Sequence, residues 1–432
     1  MAKRILSIAL AALMILAAFA GCGDKDTTSS TPASSAPSNT ESAPAAEDTG
    51  LRDLGDEDNI TLKVWGPSTQ QELLKAQCDE FVALYPDKKI TIEVGICEES
   101  EARQNVLNDL EAAGDIFAFP SDHLEALQKA GALDFVQEVG AIEDANLPGA
   151  IEAATYNDIL YAYPLTADNS YIMFYDNSIF SADDVKSLNT MVEKAKAANK
   201  KIYVKAGDGF FGCMFSFTGG LVIEHDYADG TEKQTYDEAS VVATLKAFGE
   251  LFKDGTLISA DTKVGISGLT ETGDAAAVID GTWDATAIKD TLGDKMGAAK
   301  LPAINVGGTD KQIINLFGYK LMGVKYGCAF PKTAHALAEY LSGEKCQTEK
   351  AEKFSIGPSN KAAAESDAVK NNPVLLAVKE QMEFSLPQKS IANGFWNAHA
   401  ALGDYLAKAD SDLSDDALKA QFATCVEATK EV

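Results

Sequence analysis

From Asn59 to Gly131 strand-type and helix-type periodicities take turns, and this alternation limits the fold more than any other feature of the chain. Ile60, Leu62 and Val64 alternate on a strand that ends at Trp65. Ser68-Thr69-Gln70-Gln71 reads as a capping box, and Leu74, Cys78, Phe81 and Tyr85 follow at helical spacing up to Pro86-Asp87. Ile90, Ile92 and Val94 form a second strand that ends near Cys97-Glu98-Glu99. Val106, Leu110 and Ala113 mark a second helix closed by Gly114. Asp115 to Phe119 is short and apolar, fit for a strand buried on both faces. Ser121 is expected to cap a third helix through Leu124 and Leu127, with Gly131 as its stop. Such repetition requires an α/β fold with a parallel sheet and right-handed crossovers. Sites in open α/β sheets lie beyond the carboxyl ends of the strands. Here those ends bring together Trp65, Phe119, Asp122 and His123.

Two lobes follow from length, since 432 residues exceed what one compact core supports. Ile159 to Asn177 is the expected passage between them. Two apolar, aromatic runs flank Thr166-Ala167-Asp168-Asn169, so Asp168 and Asn169 would be presented at the crossing. Pro164 places the first run at a strand end or an edge. An ordinary hairpin inside one domain fits this stretch as well. Leu316 to Val324 is a second long β-prone passage and a candidate second crossing.

In the second half, Ser181 to Asp184 opens a helix with Val185, Leu188, Val192 and Ala195, and a strand follows at Ile202-Tyr203-Val204. Gly207-Asp208-Gly209-Phe210-Phe211-Gly212 then matches G-x-G-x-x-G, with Glu224 roughly where a ribose-binding acid would stand. An exported chain has no supply of a dinucleotide cofactor. The favoured reading is a flexible glycine loop that sets Asp208, Phe210 and Phe211 at the second rim. Val241, Leu245, Phe248 and Phe252 mark a helix stopped by Gly255. Ala275 to Ile279 reads as a buried strand leading into Asp280-Gly281-Thr282-Trp283. The last third is helical, starting at Asn371-Asn372-Pro373, Gly394 and Ser414, with Phe395 and Trp396 in the second of these helices.

Export itself is read from the N-terminus. Lys3 and Arg4 precede an apolar run, Ile5 to Ala20, which ends in Gly21-Cys22. Residues 1–22 thus read as a signal whose cysteine, Cys22, becomes lipidated, and 23–58 as a disordered tether of Thr, Ser, Pro, Ala and acid. An uncleaved membrane helix is the alternative reading of the first segment. A net charge of −28 disfavours nucleic acid and anionic ligands and suits a neutral partner. The six cysteines beyond Cys22 are even in number, which permits disulfides, yet Cys78 on an apolar helix face reads as a buried thiol. Nothing in the sequence calls for a metal or other cofactor.

The order of features resembles that of the bacterial extracellular sugar-binding proteins, the maltose/maltodextrin-binding type in particular. The similarity rests on Leu62-Lys63-Val64-Trp65, Asp115-Ile116-Phe117 through Ser121-Asp122, Ala130-Gly131-Ala132-Leu133, Tyr161-Ala162-Tyr163-Pro164, Asp280-Gly281-Thr282-Trp283, Lys300-Leu301-Pro302 and Phe395-Trp396. It implies a two-lobed periplasmic-binding-protein-like fold of the class II type, with a ligand cleft between lobes joined by crossing strands. The lobes would be 59–166 with 322–366, and 168–318 with 370–432. By the same resemblance Trp283 and Trp396 are sugar platforms, Asp122 is a hydroxyl-binding carboxylate, and Asp168 stands near the acid of the crossing. His123 occupies a position where the family has arginine, so a bidentate donor is missing.

Those residue types suit a neutral oligosaccharide. Rings such as Trp65, Phe119, Phe210, Phe211, Trp283 and Trp396 can meet the C–H face of a pyranose, and Asp122, Asp168 and Asp208 can accept from its hydroxyls. The expectation is a monomeric, non-catalytic binding lipoprotein on the extracellular face of the cell membrane. It would close on maltooligosaccharide, or another neutral oligosaccharide or solute, and deliver it to the permease subunits of an ABC importer. The rival from another class is a secreted glycoside hydrolase, which uses similar rings plus two carboxylates about 5–10 Å apart.

Overall fold

The structure, a computed structural model, describes residues 52–226, 231–388, 391 and 393–428. Cys22, the signal segment and most of the expected tether lie outside the described residues. Residues 52–58 were expected in the tether and instead are docked. Leu54 is buried in the first core, and the Glu57 carboxylate accepts from the Lys332 and Thr333 amides at 3.0 and 2.9 Å. Those two amides open a helix whose first N–H groups need such an acceptor.

One sheet has six strands: β1 (Ile60–Gly66), β2 (Ile90–Ile96), β3 (Ile116–Pro120), β4 (Ala162–Asn169), and two supplied from late in the chain. β1 lies between β2 and β3, parallel to both, as the strand–helix alternation requires. The second sheet begins with β5 (Tyr171–Asp176) and continues with β6 (Lys201–Val204), β7 (Leu257–Ser259), β8 (Ala275–Gly281) and β9 (Met296–Ala299), in the order β7-β6-β8-β5-β9. β10 (Asn315–Val324) and β11 (Ser385–Pro387) return to the first sheet. There β10 runs antiparallel to both β3 and β4.

The passage at Ile159 to Asn177 is a crossing and not a hairpin. β4 pairs in the first sheet, and one residue later, after Ser170, β5 pairs in the second. β10 is a second crossing: Leu316 packs in the core of the second sheet, while Leu321, Met322 and Val324 pack in that of the first. The Asn315 amide ties the two crossings together, donating to Ser170 Oγ and to the Tyr171 carbonyl, each at 2.9 Å. β3 and β8 are buried along their whole length, which accounts for their unbroken apolar sequences.

Local starts differ from expectation in four places, one being the helix expected from Ser181, which begins at Leu188 with Ser187 as its cap. Ser68 and Ser121 do not cap helices; each opens a short 3-10 turn, and Ser121 Oγ donates to the Gln388 carbonyl at 3.0 Å. Gln71 begins helix α1 (Gln71–Ala83), and its side chain donates to the Gly66 carbonyl at 2.8 Å, so the capping box is not formed. The glycine segment 207–212 is not a flexible loop. Asp208 caps helix α2 (Gly209–Thr218) by accepting from the Phe210 amide at 3.0 Å. Its glycines serve close packing against helix α3 (Asn393–Ala407). A Cβ at Gly209 would fall 2.1 Å from the Trp396 carbonyl oxygen, and one at Gly212 2.4 Å from that of His399. A nucleotide fingerprint is therefore not the reason for the pattern.

All six cysteines after Cys22 are free thiols, five of them buried, with no disulfide among the described residues. Burial pushes the Cys78 thiol up to about 12, so it is uncharged and packs as an apolar group. Among the described residues no helix is long and apolar enough to cross a membrane.

Candidate ligand-binding cleft

The carboxyl ends of β1, β2, β3 and β8 and the two crossings open onto one cleft of about 820 Å³. That volume falls in the range of sites for molecules of several rings. Nine of the expected residues line it: Asp122, His123, Asp168, Asn169, Asp208, Phe210, Phe211, Trp283 and Trp396. Trp65 and Phe119 do not. Phe119 is fully buried in the first core. Trp65 turns its indole onto Gly95 and Gly114, where an added Cβ would lie 2.9 Å from the ring in each case. Both follow strand periodicity into the sheet's packing layer, and being aromatic at a strand end did not suffice to place them in the cleft.

One wall is aromatic. The Phe210 ring lies between Trp283 and Trp396, with centroids 6.0 and 6.3 Å away. Phe211 is nearly buried behind it, 6.4 Å from Trp283. Trp283 reaches the cleft because Gly281 leaves room beneath it; a Cβ there would fall 2.1 Å from the indole. Trp283 remains 41% exposed, an open platform in a chain whose large rings are mostly covered.

The rest of the lining is mostly polar. Glu98, Glu99, Ser100 and Arg103 follow β2, and Asp122 and His123 follow β3. Gln388, just past β11, ties the first crossing and the end of β3 to its own segment: it accepts from Asn169 Nδ2 at 2.6 Å and donates to Asp122 Oδ1 at 3.1 Å. Asp168 is almost fully buried, with one carboxylate oxygen accepting from the Gly357 amide at 2.8 Å and the other without a partner. Burial raises its pKa, an effect that nearby Lys320 and the Gly357 N–H partly offset. His123 is likewise buried, with Nδ1 unpartnered. Burial lowers its pKa more than Asp122 raises it, so the ring is neutral at pH 7. Lys320 Nζ lies 2.5 Å from Glu99 Oε2. Burial alone would lower its pKa, but Glu99 and Asp168 outweigh burial and keep it charged.

Sequence reasoning missed Glu99, Arg103, Lys320 and Gln388 as lining residues. Lys320 carried a usable signal, a single cation inside the β-prone run Leu316 to Val324. Gln388 carried none, because its position depends on a strand of three residues that joins the sheet late in the chain.

This is chemistry for holding a polar molecule with apolar faces: clustered rings together with paired donors and acceptors in one cleft. Among the described residues no group of His, Cys, Asp and Glu is placed to hold a metal ion.

Comparison with known proteins agrees in fold. The maltodextrin-binding protein MalE1 from L. casei BL23, solved without ligand, superposes with a TM-score of 0.72 at 22% identity, covering 86% of this chain and 99% of that one. MalE of Bdellovibrio bacteriovorus, bound to maltotriose, gives 0.70 at 21% identity, covering 85% and 98%. A structure solved with acarbose gives 0.78 at 28% identity, covering 86% and 98%. Those relatives are two-lobed, and so is this chain. In sequence, the galactooligosaccharide-binding protein of Bacillus subtilis (strain 168) is 23% identical over 363 residues, 78% of this chain and 82% of that protein. The profile described as bacterial extracellular solute-binding protein matches residues 76–377, and the chain belongs to that family.

Proposed function

We propose that the protein is the binding component of an ABC importer for a neutral oligosaccharide, with maltooligosaccharide as the ligand. The observation that carries this reading is the aromatic cluster of Phe210, Trp283 and Trp396 lining the same cleft as a set of hydrogen-bonding groups. The rings would cover the C–H faces of successive pyranoses, while Asp122, Asp168 and Asn169 would bond their hydroxyls. A charge of −28 argues against an anionic sugar. Relatives named for galactooligosaccharide and maltodextrin binding, and structures holding maltotriose and acarbose, support the same ligand class.

In this reading the lobes, 59–166 with 322–366 and 168–318 with 370–432, each carry part of the contacts. Ligand stabilises the closed form by its greater affinity for that form, as in periplasmic binding proteins generally. Lipidation of Cys22 would hold the protein on the extracellular face of the membrane, within reach of its permease.

Calorimetry with neutral oligosaccharides tests the ligand class: micromolar binding of maltotriose, about 8 kcal/mol, is the expected result, and heat from none of a panel of gluco-, galacto- and xylo-oligosaccharides refutes it. Incubation with maltoheptaose separates binder from hydrolase, since new reducing ends would reject a purely binding role. X-ray scattering should show a smaller radius of gyration at saturating maltotriose; an unchanged radius rejects closure.

A further inference from the structure

We infer that Lys320 is a direct donor to the ligand, hydrogen-bonding an oxygen of the sugar residue that stacks on Trp283. This rests on the sugar-binding reading above. Lys320 comes from β10, the second crossing, and its ammonium lies over the face of the Trp283 ring, 5.7 Å from the centroid. A pyranose stacked on the part of that face the ammonium leaves open would meet the ammonium along its edge. An ammonium has three N–H donors. Glu99 Oε2 takes one at 2.5 Å, and among the described residues no other hydrogen-bond acceptor of this group is found. The remaining donors belong to a side chain that is 12% exposed and lines the cleft, where an unpaired charged donor is costly. A ligand hydroxyl or ring oxygen would remove that cost.

The surroundings fix the head group in place. Glu99 stands at the start of the helix that follows β2, and Asp168, on the first crossing, lies close enough to favour the charged lysine. Three elements thus converge on one ammonium, and the second lobe contributes the ring beside it. Another cation of the cleft, Lys205, differs. Lys205 sits 3.4 Å from Asp208 and 3.8 Å from Asp261 at a more exposed position, so its charge is already spent on two carboxylates. Lys320 is therefore placed to read whether a stacked ring offers an oxygen at its edge, and a ring lacking one leaves the donor unpaired.

The competing role is purely electrostatic, with Lys320 present only to neutralise Glu99. Titration calorimetry with maltotriose on the full chain distinguishes the two, using wild type, Lys320→Met and the double variant Glu99→Gln/Lys320→Met, which removes both charges together. Melting temperatures report whether the single variant is destabilised, and the double variant carries the test if it is. Binding at least ten-fold weaker in both variants supports the inference. Wild-type affinity in the double variant overturns it and leaves the sugar-binding reading intact. No binding of any neutral oligosaccharide by the wild type overturns the reading itself.

Discussion

Truncation of Trp283 to alanine isolates the aromatic platform. A tryptophan offers about 250 Å² of surface, and 41% exposure leaves about 100 Å² open to the cleft. A stacked pyranose would cover roughly 60–100 Å² of it, and at about 25 cal/mol per Å² this contributes about 1.5–2.5 kcal/mol. Trp283→Ala should therefore weaken maltotriose by about 2 kcal/mol, roughly thirty-fold in Kd. Less stability should be lost than for a core ring, because Trp283 is 41% exposed and its neighbours are Gly281, Phe210 and Phe211 of the same cleft wall. Trp65→Phe is the matched control: that ring packs on Gly95 and Gly114 outside the cleft, so the variant should lower the melting temperature and leave Kd within two-fold. Titration calorimetry on both variants gives the comparison. Unchanged affinity in Trp283→Ala, or equal losses in the two, would refute the assignment of the platform.

Other consequences concern the frame that holds the cleft. Burial, reinforced by Asp284, pushes the Asp280 carboxyl up to about 8. The unfolded chain ionises first, so this group costs stability progressively as pH rises from about 4 to about 8, by several kcal/mol in total. Asp280→Asn should melt close to wild type at pH 4 and well above it at pH 9; a constant gap across that range would show that Asp280 does not titrate this way. Gly209→Ala forces a Cβ against the Trp396 carbonyl, and should cost about 3 kcal/mol in urea unfolding while weakening sugar by displacing Phe210 and Trp396. Full stability with full affinity would show that the two helices separate freely. Gln388→Ala leaves Asn169 without its acceptor and removes the N–H bonded to Asp122, and should cost about 1–3 kcal/mol in the same unfolding assay. A loss below 0.5 kcal/mol would mean that the bridge is replaced.

Much of the frame was legible because periodicity reports local geometry. Alternating Ile60, Leu62 and Val64, the unbroken apolar Ala275 to Ile279, and Gly131 and Gly255 with φ of 67° and 79° all act through neighbours in sequence. The crossing at Asp168 was readable only in part, since a polar insert between two β-prone runs fits a hairpin as well as a crossing, and only the pairing of β4 and β5 in different sheets decides between them. What failed depended on distant partners. Ser121 looked like a cap, but its hydroxyl is drawn to the Gln388 carbonyl 267 positions away. Trp65 and Phe119 looked like rim aromatics, but the glycines and strands that receive them lie on other segments. Phe210 and Phe211 line the cleft, but no flexible loop puts them there. A helix start capped by Asp208, packed tightly on α3, positions them, and the glycines signal that approach of two backbones.

The claim on which these expectations depend is that rings from one lobe and polar groups from the other grip a single sugar chain. Diffraction from crystals grown with maltotriose measures this directly. The account predicts sugar density in the cleft, one ring against Trp283 with Lys320 at its edge and hydroxyls within hydrogen-bond reach of Asp122 or Asp168. Maltotriose bound elsewhere on the protein, with this cleft holding only solvent, would contradict it.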